Sequence, residues 1–405
     1  MSSTAQSLIH DWNPTERHRT VQICDETLRD GLQGSVQSLP TIEQRLELMT
    51  YSDQLGLSES VVGFPAQPQS FQEALSIVKG ADARGIKMPL GLLGRMVESD
   101  IEAIDRIRQQ TGHPITAWLF VGCSPIRRYV EARDIDTLVE MTQSGIHYAK
   151  QLGLPVNYGT EDTSRAEPKI IERLFKTAIA EGAETVSICD TVGHLTPKGT
   201  RAIVQHFRQF IDQNHYPTQL DFHAHNDRGL GVANGLAACE AGIDRIHSTI
   251  LGIGERAGNI PLDQMLVNMK LQGYWEEDLT PLPDYCDAIQ ALCDVSLPDN
   301  YPILGSNAFL TQAGVHASAI LKAEEQGEKE IAALVYSGVN PNIVGLDYGI
   351  QVGPHSGQSN VRFILNRLGI HASNQQINQV LTVARTENRI MPENEVTTLL
   401  TQFAS

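Results

Sequence analysis

The chain has 405 residues, 41% hydrophobic and 20% charged, a composition typical of a soluble globular protein. Its 48 acidic and 31 basic side chains give a net charge of −17, which argues against nucleic acid as a partner because phosphate would be repelled. Six cysteines without a CxxC pair indicate reduced thiols and a cytoplasmic location, and no segment approaches the roughly 20 apolar residues that span a bilayer.

Short β-branched runs alternate with amphipathic stretches from about residue 20 to residue 270. Thr41 and Gly56 bound one such stretch, TIEQRLELMTYSDQLG, as a helix N-cap and a C-terminal stop. The predicted strands are, in chain order, VQIC from Val21, SVVGF from Ser60, MPLGLL from Met88, TAWLFVG from Thr116, PVNYG from Pro155, TVSICD from Thr185, QLDFHAH from Gln219 and RIHSTILG from Arg245.

This alternation predicts βαβ units around a parallel sheet. Eight strands in about 250 residues fit an α/β fold of the closed (β/α)8 TIM-barrel type better than an open sheet. No GxGxxG follows the first strand, which removes the main support for a dinucleotide-binding fold.

We therefore predict an N-terminal arm over residues 1–19, a catalytic barrel over 20–275 and a small, mostly helical C-terminal region over 276–405. That last region ends in two amphipathic stretches, NQQINQVLTVARTE and ENEVTTLLTQF.

Chemistry in such a barrel is expected in the loops after the strands. His223 and His225 end the seventh strand, and their spacing puts both imidazoles on one face. Asp30 follows the first strand and Asn259 the eighth. This nitrogen and oxygen set predicts a divalent metal site, with imidazole favouring zinc or iron and the oxygens admitting magnesium or manganese. A 2-oxo acid could chelate such an ion, which would polarise its ketone.

Other charged or polar side chains end the same strands. Arg29 is placed to stabilise negative charge on an oxygen, or alternatively to pair with Glu161 or Glu255 at the rim. Thr191 could donate to a substrate carboxylate or cap a helix. Arg256, in the loop GIGERAGN, could brace that loop or touch substrate.

Six motifs together resemble the metal-dependent acyl-CoA synthases of the isopropylmalate and homocitrate synthase family. They are DETLRDGLQ, GFPA, TEDTSR, DTVGHLTP, HAHNDRGLGVAN and GIGERAGNIPL. The resemblance implies that Asp30, His223 and His225 hold the metal with Asn259 close by, and that Arg29 is catalytic. It also places Glu161 and Thr191 at the 2-oxo acid, and we expect Gln33 and Arg127 to bind substrate.

The C-terminal segments GSNAFLTQAGVHASA and VYSGVNPNIVGL extend the resemblance. By that resemblance His316 is the general base that deprotonates acetyl-CoA, and Tyr336 assists it. The region reaches into a partner's active site in such synthases, which implies a homodimer with shared sites. The implied reaction is a Claisen condensation of acetyl-CoA with a 2-oxo acid, followed by thioester hydrolysis to CoA and a 2-substituted malate.

Four positions depart from the family's usual pattern. Leu32 and Val61 stand where acids are usual, Thr311 replaces a histidine, and Arg127 stands where isopropylmalate synthases have histidine. With Leu32 and Val61 in place of two acids, the opening of the barrel is more apolar than is usual in the family. This favours a branched or aromatic 2-oxo acid, as in 2-isopropylmalate or benzylmalate synthases. Arg127 and Arg128 favour instead a second carboxylate, as in 2-oxoglutarate, unless one of them is a surface charge or contacts CoA phosphates.

Two rival functions remain. The first is a hydroxymethylglutaryl-CoA type lyase, which shares the barrel, the metal and the RDGLQ motif. Such lyases, however, have a cysteine-bearing loop in place of GIGERAGN. A non-catalytic scaffold would have no need of Arg29, Asp30, His223, His225 and His316 together.

Overall fold

The structure is a computed structural model that describes residues 7–10, 12–13, 20–34 and 36–403. The predicted N-terminal arm, 1–19, therefore lies largely outside the described residues. The chain forms two compact units, a larger one that ends at Ser296 and a smaller one that begins at Leu297. No helix of the described part is long and apolar enough to cross a membrane.

The larger unit is a closed barrel of eight parallel strands in sequential order, as the sequence predicted. The last strand pairs with the first, with Cys24 opposite His247. The strands are β1 Gln22–Asp25, β2 Glu59–Val61, β3 Leu90–Arg95, β4 Ile115–Gly122, β5 Val156–Glu161, β6 Thr185–Asp190, β7 Gln219–Ala224 and β8 Arg245–Ser248.

Helices surround this barrel: the first eight lie in the connections between consecutive strands, and the last two follow β8. They are α1 Ile42–Gln54, α2 Pro68–Arg84, α3 Glu98–Thr111, α4 Pro125–Glu131, α5 Ile135–Gln151, α6 Pro168–Ala180, α7 Pro197–Gln213, α8 Gly231–Glu240, α9 Leu262–Leu271 and α10 Leu282–Cys293. Each longer helix buries one apolar stripe, for example Ile171, Leu174 and Phe175 on α6. This burial holds the strands in register and fixes the loops at their ends.

The predicted limits of the first helix are confirmed. The Thr41 side chain accepts from the Gln44 N–H, and the Gln44 side-chain oxygen accepts from the Thr41 N–H, which together form a capping box. Gly56, just beyond the helix, has a φ of 74°, a conformation that glycine adopts without strain.

The smaller unit is mostly helical, as predicted. It contains the two-stranded pair β9 Leu310–Thr311 and β10 Gly349–Ile350 together with α11 Gly314–Glu325, α12 Lys329–Leu334, α13 Gln358–Leu368, α14 Asn374–Glu387 and α15 Glu393–Gln402. Its buried side chains form two apolar clusters, one of them around Val361, Val380 and Val396.

The division between the units falls after α10, whereas the sequence suggested a boundary at residue 275. The structure gives the reason: Tyr285 of α10 donates to Asp25 of β1 at 2.8 Å and stacks on Tyr51 of α1 at 5.6 Å between ring centroids. This helix therefore packs as part of the barrel.

Candidate active site

A cavity of about 320 Å³ is lined by side chains at and beyond the carboxyl ends of the barrel strands. Seven of the site residues predicted from the sequence line it directly. Those seven residues are Arg29, Asp30, Gln33, Glu161, Thr191, His223 and His225. Chemistry was expected at this end of a parallel barrel.

Arg29 and Asp30 lie on an unusual turn directly after β1. Thr27–Gly31 form one π-helical turn, a wide local geometry that often occurs at functional sites. Thr27 anchors it, because its N–H donates to Asp25 and its Oγ1 accepts from the N–H of Ile250. The turn therefore presents Arg29 and Asp30 side by side to the cavity.

Three side-chain atoms, one each from Asp30, His223 and His225, lie close together at the cavity. Asp30 Oδ2 is 3.4 Å from Nε2 of His223 and 3.5 Å from Nε2 of His225, and the two Nε2 atoms are 3.3 Å apart. Ligand atoms held about 2.1 Å from one ion are separated by ~3.0 to ~3.4 Å in octahedral or tetrahedral geometry. The triangle therefore fits a divalent cation, and all three residues are buried.

The charge states of these groups suit a cation. Burial raises the pKa of Asp30, but the Arg29 guanidinium and the two histidines outweigh it, so the pKa lies below its usual value. Burial lowers the pKa of His225 to about 4, and the neighbouring His223 adds to this lowering. At neutral pH the site thus offers an ionised carboxylate and a neutral imidazole of His225, the forms that ligate metals.

Arg29 does not pair with the rim acids that were the alternative from the sequence. Its guanidinium contacts Glu26, and it is 3.6 Å from Asp30 Oδ2. Its side chain is 12% exposed, so the charge is held close to the cavity.

Backbone pairing holds Asn259 next to His225, one member of the triangle of Asp30, His223 and His225. Asn259 forms an isolated β-bridge with His225, and its side-chain amide donates to the Ile253 carbonyl. The same loop is braced by Arg256, which pairs with Asp227 at 2.9 Å and donates to the carbonyl of Thr191. The arginine of this loop therefore has a structural role, and a ligand role for Asn259 stays a prediction.

Glu161 and Arg127 contact each other. Arg127 Nε is 3.2 Å from Glu161 Oε1, and an Nη atom is 2.6 Å from Glu131. Burial raises the pKa of Glu161, while the Arg127 charge opposes this effect. Two carboxylates thus already face the Arg127 guanidinium.

Thr191 is oriented by its neighbour on the β5 loop. Its Oγ1 accepts from the N–H of Asp162 at 2.8 Å, which leaves the hydroxyl proton available to another acceptor. The following helix α7 is capped by Thr196 instead, so the capping alternative for Thr191 is wrong. Gln33 also reaches the cavity, from an exposed position.

One side of the cavity is apolar. Its aromatic and aliphatic lining residues come from the loop after β2 and from β3 and β4: Phe64, Leu93, Trp118, Leu119 and Phe120. These side chains can pack against a hydrocarbon substituent but offer it no charge.

His247 and Trp118, which line the cavity, belong to a buried ion network that the sequence reasoning missed. Arg245 pairs with Glu59 and with Asp221, and His247 Nε2 lies 3.0 Å from the same Asp221 carboxylate. Trp118 donates to Glu59 at 3.0 Å. The sequence contained a signal for this network, because β7 and β8 each carry two polar residues at a spacing of two, which puts them on one face of the strand. They are Asp221 and His223 on β7 and Arg245 and His247 on β8.

His316 and Tyr336 are in the C-terminal unit and contact each other. Their rings stack with centroids 3.8 Å apart and an angle of 27°. His316 lies in the first turn of α11, and Tyr336 follows α12. The structure thus brings together the two residues to which the resemblance assigns proton abstraction.

Comparison with known families agrees with this geometry. The model of the HMGL-like family matches residues 20–290, the whole barrel with its site. The chain belongs to the HMGL-like family. A second model, described as homocitrate synthase post-HMGL domain-like, matches residues 303–389 in the C-terminal unit.

Curated relatives of the HMGL-like chain are named as synthases. A probable 2-isopropylmalate synthase of Methanopyrus kandleri is 30% identical over 364 residues, which cover 89% of this chain and 68% of the relative. An (R)-citramalate synthase of Methanocaldococcus jannaschii is 30% identical, with 89% and 69% covered. The HMGL-like chain is accordingly an enzyme of the acyl-transferring synthase type.

Solved structures share the fold. A hydroxymethylglutaryl-CoA lyase from Pseudomonas aeruginosa superposes with a TM-score of 0.59 at 20% identity, over 72% of this chain and 97% of that one. The carboxyl transferase domain of Rhizobium etli pyruvate carboxylase gives 0.54 at 17% identity, over 78% and 55%. At these identities the likeness concerns the HMGL-like fold alone.

Proposed function

We propose that the enzyme condenses acetyl-CoA with a 2-oxo acid that has a branched or aromatic side chain, giving a 2-substituted malate and CoA. The observation that carries this proposal is the triangle of Asp30, His223 and His225 beside the buried charge of Arg29. This arrangement suits a substrate with adjacent carboxylate and keto oxygens.

The metal would be held by Asp30, His223 and His225, with Asn259 as a further candidate through its amide oxygen. When bound, a divalent cation supplies Lewis acidity for the keto group. Zinc, magnesium and manganese remain the candidates, because imidazole and carboxylate ligands together admit all three.

The chain's own residues provide binding and charge stabilisation around the substrate. Arg29 stabilises the negative charge that develops on the keto oxygen, because its guanidinium is fixed before reaction by two carboxylates. The free hydroxyl proton of Thr191 binds the substrate carboxylate, while Glu161 and Gln33 line the same cavity.

His316 is the proposed general base, since an imidazole is suited to proton transfer near neutral pH. It removes a proton from the methyl group of acetyl-CoA, and the resulting carbon nucleophile forms a bond to the keto carbon. The keto oxygen takes up a proton. Water then cleaves the thioester, leaving a new carboxylate and the CoA thiol. Tyr336, stacked on His316, holds that ring in place.

The cavity favours an apolar substituent on the 2-oxo acid. Phe64, Leu93 and Phe120 line one side, and apolar groups are held by such surfaces through burial. Arg127 is engaged by Glu131 and Glu161, so a second substrate carboxylate, as in 2-oxoglutarate, would compete with two existing partners. The relatives' names include a 2-isopropylmalate synthase, whose product carries a branched alkyl group, and an (R)-citramalate synthase, whose product carries only a methyl group.

A homodimer with shared active sites and a cytoplasmic location belong to the same proposal. Mixing inactive Asp30→Ala and His316→Ala variants under subunit exchange should restore activity if the two residues act across subunits. Absence of recovery after confirmed exchange would contradict shared sites.

The proposal is tested by CoA release from acetyl-CoA with pyruvate, 2-oxoisovalerate, 2-oxoglutarate and phenylpyruvate. Metal-depleted enzyme is assayed alone and after addition of Zn²⁺, Mg²⁺ or Mn²⁺. We expect metal-dependent release that is fastest with 2-oxoisovalerate or phenylpyruvate. Fastest release with 2-oxoglutarate would contradict the apolar preference. No release with any acid, together with cleavage of hydroxymethylglutaryl-CoA, would favour the lyase instead.

A further inference from the structure

Glu26 is a buried carboxylate at the centre of the site to which no role has yet been given. It lies between β1 and the π-helical turn and is 1% exposed. Three nitrogen-bearing side chains face it: Arg29 in direct contact, Nδ1 of His223 at 3.3 Å and Nδ1 of His247 at 3.1 Å. A buried charge is costly without such partners, so these contacts stabilise the Glu26 carboxylate and tie it to Arg29 and His223.

The contact with His223 bears on which ring nitrogen is free. A carboxylate accepts hydrogen bonds and cannot donate them. Once Nε2, beside Asp30, ligates a cation, the ring proton of His223 is on Nδ1, where Glu26 lies 3.3 Å away as an acceptor. The lone pair is then on Nε2, the atom that lies 3.4 Å from Asp30 and 3.3 Å from the Nε2 of His225. A hydrogen bond from the far nitrogen to a carboxylate commonly fixes a metal-binding histidine.

The same carboxylate holds Arg29. The adjacent strand β2 places no charged residue level with Glu26. Asp25 of β1 pairs with Ser60 of β2, so the residue that follows on β2 is the apolar Val61. When both are ionised, the Glu26 and Asp30 carboxylates carry two negative charges against the single positive charge of Arg29. This leaves one excess negative charge, which favours a cation at the triangle.

We propose that Glu26 is a positioning residue that fixes the Nδ1-protonated tautomer of His223 and the direction of the Arg29 guanidinium. Through His223 it affects metal binding. Through Arg29 it affects the stabilisation of the negative charge that forms on the keto oxygen. The inference rests on the proposed function, because it assumes that the triangle of Asp30, His223 and His225 holds a cation.

A different role is geometrically open, because Glu26, His223 and His247 also offer three ligand atoms within 4.8 Å of one another. A second cation there would need a lone pair on Nδ1 of His223 while the first uses Nε2, so the ring would lose both protons. The number of ions bound per chain therefore separates a second cation site from a positioning role.

The experiment measures zinc binding to metal-depleted enzyme by competition with a chromophoric chelator. Glu26→Gln keeps the size of the side chain and removes its charge. The matched control is Glu59→Gln, another buried carboxylate, which pairs with Arg245 and does not contact His223. We expect one zinc ion per chain in all three proteins, with affinity lowered roughly 10- to 100-fold in Glu26→Gln and nearly unchanged in the control.

Unfolding temperatures of the metal-free proteins show whether each variant folds. If Glu26→Gln does not fold, Glu26→Asp replaces it, since the charge stays and only the reach shortens. A loss of several-fold in zinc affinity is then expected, and an unchanged affinity would overturn the inference.

The outcomes separate this inference from the function on which it rests. Equal zinc affinity in the wild type and in Glu26→Gln, with condensation activity present, would overturn the role of Glu26 alone. Two zinc ions in the wild type and one in Glu26→Gln would overturn it in favour of a second cation site. The same competition is repeated on the wild type with magnesium and manganese. Failure to bind any of the three metals would overturn the metal site and the proposed function together.

Discussion

Asp30 supplies the carboxylate of the proposed metal site, and its replacement gives the simplest residue-scale prediction. Asp30→Asn keeps the shape but removes the charge that faces the two imidazoles. Zinc affinity should fall by more than the roughly 10- to 100-fold that the loss of an outer contact costs. Zinc should also cease to raise the unfolding temperature of the variant.

The control for Asp30→Asn is Asp278→Asn, which removes an equal charge from an exposed position. Calorimetric titration with zinc is the measurement. Equal affinity in the wild type and Asp30→Asn would show that the triangle does not hold the metal.

Replacing Arg127 tests whether this side chain binds a second substrate carboxylate. Because Glu131 and Glu161 already occupy its guanidinium, Arg127→Gln should leave the preference for 2-oxoisovalerate over 2-oxoglutarate within about threefold, well under 1 kcal/mol. The measurement is the ratio of kcat/KM for the two acids. A loss of 2-oxoglutarate activity alone, by tenfold or more, would show that Arg127 binds a second carboxylate.

Sequence reasoning found some members of the site and missed others for a physical reason. His223 and His225 were found because a spacing of two on a strand puts both rings on one face. Glu26 and His247 were missed, although both stand in quoted motifs. Their importance depends on contacts between β1, β7 and β8, which only the closed barrel brings together.

At the scale of elements, the eight strands were predictable because each is a short apolar run between helices with capping and stop signals. Their ends were less predictable: β2 covers only Glu59–Val61, whereas the apolar run continues to Phe64. The π-helical turn at Thr27–Gly31 was not predicted. It depends on the bond from Ile250 to Thr27, a contact between residues far apart in the chain.

The loop after β8 depends on a glycine. Gly258 has a φ of 81°, and a Cβ there would lie 1.8 Å from the carbonyl oxygen of Gly252. Its own carbonyl accepts from the N–H of Asn226 at 2.8 Å. Gly258→Ala should therefore displace the loop that holds Asn259 next to His225, and zinc affinity should fall measurably.

Gly85→Ala is the matched control for this prediction. Gly85 also has a positive φ, 70°, but a Cβ there meets nothing within 4 Å. It should cost about 1 to 2 kcal/mol of stability, the strain of the left-handed conformation, and leave zinc affinity unchanged. Equal zinc affinity in both variants would show that the loop does not support the site.

For the whole molecule, the cysteines provide a test of how well the folded chain protects its thiols from solvent. All six are free, and five are buried. Burial raises the pKa of Cys293 to about 11 and that of Cys123 to about 12, and it raises the pKa of Cys189 at the cavity as well. At pH 8 a thiol of pKa 11 is ionised in roughly one molecule in a thousand, and thiolate is the reactive form.

We therefore expect fewer than one thiol per chain of native enzyme to react with an aromatic disulfide reagent during a CoA assay at pH 8. All six should react after denaturation. Because thiolate increases with pH, native reactivity should rise only as pH approaches the raised pKa values. Fast reaction of one or more native thiols at pH 8 would contradict this description of the barrel.

The architecture of the molecule was predictable from the sequence, but the choice of substrate was not. The barrel follows from a repeated local pattern. The cavity instead combines Phe64, Leu93 and Phe120 with charges from other strands, and whether Arg127 is free or neutralised depends on where Glu131 and Glu161 lie. These are properties of the folded state that no single motif contains.

We propose that this enzyme forms a carbon–carbon bond between the acetyl methyl carbon and the keto carbon of a 2-oxo acid at the site of Asp30, His223 and His225. The most direct measurement is product analysis by mass spectrometry after reaction of methyl-¹³C acetyl-CoA with 2-oxoisovalerate or phenylpyruvate. We predict a 2-substituted malate that retains the label, formed only when a divalent metal is present. Labelled acetate as the sole product would mean simple thioester hydrolysis and would contradict the account.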